Sequence, residues 1–317
     1  MANIKDIAKM AGVSVTTVSR VLNQHPYVKE DKRKRVEDII NKLDYRQNSN
    51  AIHLVKGKTE TIGVIVPYID HPYFQMLVSG ITEEAFKQQY SILLCPTNYS
   101  IEAENTYLKM LQAKQIDGLI FCSRASSWER LVSYSRYGPI IACEKSELLP
   151  CVYTDHYRAF TAGVEYLVQK GHTRIGYCSG RTNSQSSVMR ALAYQQTLSS
   201  LDLPVTQSWV FNECFTIEDG KAIMAKLLAL EERPTALLVN GDSIAAGMIM
   251  QAKKEGLSIP EDLALIGIDN QPISEVLELT TIDQHLKELG LQAFNSVKHR
   301  IACQTEIPFS IIERLSV

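Results

Sequence analysis

Residues 4–23, IKDIAKMAGVSVTTVSRVLN, decide how the first part of the chain folds. Ile4, Ile7, Ala8 and Ala11 recur at helical period, the stripe stops at Gly12, and a second stripe of Val18, Val21 and Leu22 follows Ser14. The spacing predicts two short helices meeting at a tight turn. Ala8 stands where the helices approach closely, Gly12 in the turn and Val18 in the core between them, and the Ser14 hydroxyl can cap the second helix. An ordinary helical hairpin has the same apolar stripes but no use for the opposite face of helix two. There Val15, Thr16, Ser19, Arg20 and Asn23 offer methyls, hydroxyls and a guanidinium suited to groove edges and phosphates. That face predicts binding to double-stranded DNA. A third helix, about Glu30 to Leu43, closes the small core with Val36, Ile39, Ile40 and Leu43 and leaves Lys32, Arg33, Lys34 and Arg35 on a solvated side.

Charge supports the division. Residues 1–58 hold 12 Lys and Arg against 6 Asp and Glu, which leaves 21 against 29 for the remainder of a chain whose net charge is −2. A basic head on an acidic body suits a nucleic-acid-binding head joined to a body of another kind. With 317 residues, 45% hydrophobic and 21% charged, the chain has room for about two globular units with sizeable cores. No apolar run reaches the length of a membrane span, and MANIKDIAKMAGVS lacks the apolar stretch of a secretory signal, so a cytoplasmic protein without membrane contact is expected. Seven cysteines at irregular spacing, with no C-x-x-C or Cys/His cluster, read as buried reduced thiols.

After Asp44-Tyr45 the stretch RQNSNAIHLVKGKTET has no core pattern of its own and reads as a linker. Asn48 or Ser49 could cap a short helix from Ala51 to Val55, too short to be stable alone in water. The expected boundaries are a head at 1–46, a linker at 47–60 and a body at 61–317.

From Ile62 the pattern changes to short apolar runs alternating with helical stretches: IGVIV, SILLC, GLIFC and PIIAC, then RIGYC, WVF, TALLV and LALIGI. This predicts parallel sheets of βα units. The first, third and fourth runs have counterparts in RIGYC, TALLV and LALIGI, which predicts two similar lobes, about 61–157 with 286–304 and about 158–284 with 307–317. Strands near Thr280 to Gln284 and Ile307 to Glu313 require the chain to cross between lobes more than once. Ligands of open α/β sheets sit at the carboxyl ends of strands, so the cleft between lobes is the expected small-molecule site. Asp70, Tyr73 and Phe74 follow the first strand, Arg190 lies on the helix after RIGYC, and Asp242 and Asp269 follow later strands, with Gln284 on a crossing strand. Carboxylates, amides and arginine beside aromatic faces suit a polyhydroxylated ligand; helix caps and packing residues are the competing reading for each. The dispersed histidines, without G-x-S-x-G or a Gly-rich phosphate loop, predict no enzyme and no cofactor.

Ile4 to Asn23, followed by PYV and then by LDY at 43–45, resembles the lactose-repressor (LacI/GalR) family of bacterial transcription regulators along the whole chain. NQHPYVKEDKR, VPYIDHPYF and YGPIIACE are similar to the catabolite control proteins of that family, the B type in particular. The resemblance implies a small all-α helix-turn-helix head and an α/β body of the periplasmic-binding-protein type with two parallel-sheet lobes. It implies that Val15 and Thr16 read bases, that Thr17, Ser19, Arg20, Asn23 and Tyr27 hold bases or backbone, and that Asn48, Ala51 and Leu54 act in a hinge whose Leu54 wedges the minor groove. It also implies a homodimer on a pseudo-palindromic operator, repression of carbon-source genes, and a sugar or phosphorylated small molecule as effector contacting Arg190 and Asp269. A serine-phosphorylated phosphocarrier protein is a further implied partner. The chain departs from the family pattern at Gln47 and Ile52 in the hinge, at Ala193, and at Gly241-Asp242 where sugar-binding members commonly have Asn-Asp. These departures leave open a phosphorylated effector or none. The ending ERLSV, without a trailing heptad helix, fits a dimer. The alternative is a cytosolic sugar-binding protein without operator-specific regulation.

Overall fold

Local capping sets the head. In the computed structural model, which describes residues 3–45 and 57–317, α1 runs Ile4–Ala11. Asn3 and Asp6 form a reciprocal capping box at its start, and Gly12 ends it at φ 63°, a left-handed value that glycine takes without strain. The second helix, α2 (Val15–Leu22), starts where the Ser14 hydroxyl accepts from the Thr17 N–H. Helix α3 (Glu30–Lys42) covers both. Ile7, Ala8, Ala11, Val18, Val21 and Val36 are the buried core of this unit, with Ile39, Ile40 and Leu43 packed around it. The Lys/Arg run at 32–35 is not wholly idle: the Arg33 guanidinium donates to the His25 carbonyl at 2.7 Å and fastens the loop before α3.

Residues 1–59 and 60–317 form separate compact units. In the second unit the described residues build two six-stranded sheets. The first contains β1 (Thr61–Val66), β2 (Ser91–Pro96), β3 (Gly118–Phe121), β4 (Ile140–Ala142), β5 (Cys151–Tyr153) and β11 (Gln304–Glu306), in the order β11-β5-β4-β3-β1-β2. Its counterpart holds β6 (Ile175–Cys178), β7 (Val210–Phe211), β8 (Ala236–Leu238), β9 (Ala264–Ile268), β10 (Thr280–Asp283) and β12 (Ser310–Ile312), in the order β12-β10-β9-β8-β6-β7. All pairings are parallel except β10 with β12. Strands β3, β4, β6, β8 and β9 are buried throughout, and β1 everywhere but at Thr61, which explains their apolar runs. The chain crosses between sheets around residues 154–155, 284–285 and 307–309, and strands β5 and β11, three residues each, are too short to announce themselves by pattern.

Each lobe is closed on one side by a helix pair in backbone contact. In the first, α4 (Pro72–Lys87) crosses α12 (Leu286–His299), and a Cβ at Gly80 or Gly290 would meet a backbone oxygen at 2.0 or 2.2 Å. The second lobe repeats this with α9 (Ile217–Leu228) and α10 (Asp242–Lys254), through Gly220 and Gly247. Helix α7 (His156–Gln169) and α8 (Gln185–Ser200) cover the other face of that sheet. Among the described residues no helix is long and apolar enough to cross a membrane, and no group of acidic, His and Cys side chains is placed to hold a metal ion.

Candidate functional site

The core stripe of α2 fixes which of its side chains face outward. Because Val18 and Val21 point into the head, Val15, Thr16 and Arg20 are exposed, with Val15 41% accessible although apolar. Ser19 is half-buried, and its carbonyl accepts from the Asn23 amide at 2.8 Å, which orients Asn23 at the helix end. The Thr17 hydroxyl lies 3.0 Å from that of Ser14 and so joins the cap. Tyr27, 85% exposed, projects from the loop with its ring 5.6 Å from that of His25. One surface of the head therefore carries a methyl-bearing helix start, hydroxyls, an amide, a guanidinium and a phenol. Asn48, Ala51 and Leu54 lie outside the described residues.

In the body, the carboxyl ends of both sheets line a cleft of about 120 Å³. Its centre is Arg190 on α8. Burial leaves this guanidinium 7% exposed and lowers its proton affinity, while the charge of Asp269 opposes that loss. Arg190 donates to the Asn240 amide oxygen and, at 3.5 Å, to His156 Nδ1. Burial together with the Arg190 charge holds the His156 imidazole down at about 3, so it is a neutral acceptor at physiological pH. Asp269 is raised to about 6 by burial, against the pull of Arg190 and of the Gln284 amide, which donates to Oδ1 at 2.6 Å. Tyr73 and Phe74 meet edge to face at 5.1 Å on the first lobe's side, and burial and Asp269 push the Tyr73 phenol well above its usual range.

Of the residues expected from sequence, Tyr73, Phe74, Arg190 and Asp269 line this cleft. Gln284 stands behind Asp269 as its donor. Asp70 is placed elsewhere, exposed on the loop before α4. Asp242 is also not a lining residue: it is wholly buried, Oδ2 accepting from the Gln271 N–H at 2.6 Å and Oδ1 from the Thr281 hydroxyl at 2.7 Å. Only glycine fits at 267, since a Cβ there would lie 2.0 Å from that carboxylate. Burial raises Asp242 to about 8. Its task is to hold the turn after β9, where Asp269 and Asn270 take left-handed φ values of 96° and 48°.

Several cleft residues had no place in the sequence reading. Tyr99 follows β2, Ser123 β3, Glu144 β4, Arg181 β6 and Asn240 β8, so the strand-end rule applied to every strand would have found them. Asn240 matters most. The change to Gly241-Asp242 is accompanied by an amide one residue earlier, and that amide engages Arg190. A larger groove of about 570 Å³ lies between α4 and β2, lined mainly by apolar groups such as Ile69, Phe86 and Leu94, without convergent polar atoms.

A small helical unit with an outward polar face thus precedes a larger unit of two like lobes around a polar cleft. Residues 3–48 match the family model for bacterial regulatory proteins of the lacI family, and 59–314 the model for periplasmic binding proteins and the sugar binding domain of the LacI family. The chain is 42% identical to an uncharacterized HTH-type transcriptional regulator, YkvZ, of Bacillus subtilis (strain 168), over the full length of both. Catabolite control protein B of the same organism is 42% identical, covering 93% of this chain and 94% of the relative. The structure of the lac repressor dimer bound to operator and the anti-inducer ONPF superposes with TM-score 0.86, at 24% identity, over 99% of this chain and 98% of that one. The chain belongs to the LacI family of DNA-binding transcriptional regulators.

Proposed function

We propose that the protein represses genes of carbon-source use as a homodimer on a pseudo-palindromic operator, with the body cleft holding a small-molecule effector. The observation that supports this most strongly is the outward face of α2, where Val15, Thr16 and Arg20 project from a helix otherwise committed to the core. Val15 and Thr16 meet base edges; Thr17, Ser19, Arg20, Asn23 and Tyr27 fix the helix on bases and backbone. Asn48, Ala51 and Leu54 act in the hinge, Leu54 as a minor-groove wedge. Arg190, Asp269, Tyr73 and Phe74, with Gln284 behind them, hold the effector, and the buried Arg190–Asp269 pair suits vicinal hydroxyls that both donate and accept. Carbon catabolism rests on kinship with catabolite control protein B, as does the serine-phosphorylated phosphocarrier protein as a partner. The apolar groove beside the edge strand β2, where Phe86 is 83% exposed, supports association with a second copy.

Effector control follows if the ligand fixes the angle between the lobes and the hinge forms in one of the two arrangements. The test is selection of bound genomic fragments by the full chain, with sequencing. A recurring two-fold-symmetric site upstream of carbon-use genes is expected. Fragments without a shared motif would instead favour a sugar-binding protein that regulates no operator.

A further inference from the structure

One corner of the cleft is already occupied by the protein itself. Arg181 comes from the second lobe, just after β6, and its guanidinium carbon lies 3.7 Å from the centroid of the Tyr99 ring, which belongs to the first lobe. Tyr68 meets that ring edge-on at 5.7 Å. Ser123 donates to Glu144 Oε1 at 3.0 Å and lies 3.4 Å from the Tyr99 hydroxyl, so one hydroxyl links the carboxylate to the aromatic pair. Burial raises Glu144, and the charges of Arg124 and Arg181 counter that rise. The Nε of Arg181 is buried with no hydrogen-bond partner. Its guanidinium is thus retained by the ring face and by charge, both of which any cation of similar size can use.

We propose that the Tyr68–Tyr99–Glu144 corner is a cation seat, that Arg181 fills it in the ligand-free protein, and that the effector is an amine-bearing polyol, an amino sugar in chemical class, whose ammonium displaces Arg181. The inference rests on the cleft being the effector site, since the hydroxyls of such a ligand fall to Arg190, Asp269 and Asn240. Removal of Arg181 from the seat also enlarges a cleft of about 120 Å³, below the roughly 300 Å³ at which ligand pockets usually begin. Because Arg181 reaches from one lobe to the other, and Gln185 likewise donates to the Lys145 carbonyl at 3.0 Å, displacement frees the lobes to change their angle.

The test uses the full chain and two probes, methylguanidinium and glucosamine, with glucose as the neutral control, read by Trp128 fluorescence and calorimetry. Trp128 is a local reporter because Arg124, 4.0 Å from Glu144, stacks on its ring at 3.7 Å. Arg181→Ala empties the seat and should bind methylguanidinium at least about tenfold more tightly than the parent, a difference of about 1.4 kcal/mol. Adding Glu144→Gln should abolish that gain. Glucosamine should outbind glucose by at least about tenfold in Arg181→Ala, and Arg190→Ala in that background should weaken glucosamine while sparing methylguanidinium. An Arg181→Ala protein that binds methylguanidinium no better than the parent, or glucose as well as glucosamine, overturns the seat. Glucosamine binding that survives Arg190→Ala leaves the seat standing and overturns the cleft as effector site.

Discussion

The face of α2 and the interlobe cleft both gather polar side chains, but they hold them by opposite means. On α2 the chemistry is carried by residues the fold does not need: Val15, Thr16 and Arg20 face outward, while Val18 and Val21 do the packing. In the cleft Arg190, Asp269 and Gln284 are buried and His156 is half-buried, with Arg190 bonded to His156 and Gln284 to Asp269. Surface substitutions off the core change stability little, whereas uncovering one member of a buried charged network is costly. Function and stability should therefore separate in the head and be entangled in the cleft.

Arg190→Ala should give the largest effect. It removes the positive charge facing the buried Asp269 and the donor to the Asn240 amide, and the unfolding free energy of the full chain should fall by about 1 to 3 kcal/mol in urea titration. A loss under about 1 kcal/mol would place the cleft in the same class as the head.

Next comes pH. The folded protein holds a proton on Asp242 up to about 8, while the unfolded chain releases it near 3.8. Between those values the folded state binds more protons, so stability falls as pH rises through the window and levels off above it. Asp242→Asn keeps a neutral side chain in place and should flatten that slope. A slope unchanged by the substitution would assign it to Asp269, whose proton affinity is also raised, to about 6.

Smaller still is the cap. Ser14→Ala removes the acceptor for the Thr17 N–H and should cost the head about 1 kcal/mol, read as a shift in its thermal midpoint. It would sharpen the contrast if operator affinity fell by no more than the lost fraction of folded head.

The head was legible because its determinants are local. Period, turn glycine and cap all lie within residues 3–23, and α1 and α2 begin and end at those signals. The alternation of buried strands with helices likewise gave away two parallel sheets, while β5 and β11, three residues each and the latter placed by pairing with the distant β5, did not appear in it. In the cleft, sequence position could nominate a strand-end residue but not its neighbour. Asp242 and Asp269 look alike along the chain, and only the packing of Gly267 and the hydroxyl of Thr281 sends the first beneath the cleft. Arg181 and Tyr99 are 82 residues apart and meet only because two lobes face each other.

On the proposed function, the outward face of α2, which the fold does not require, is what reads DNA. The most direct test is the affinity of Arg20→Ala for a selected operator fragment at physiological salt, by fluorescence anisotropy. A loss of about 1 to 3 kcal/mol is expected, with unfolding free energy within about 0.5 kcal/mol of the parent. Operator binding as tight as the parent's would make Arg20 a solvated side chain and contradict the assignment of that face.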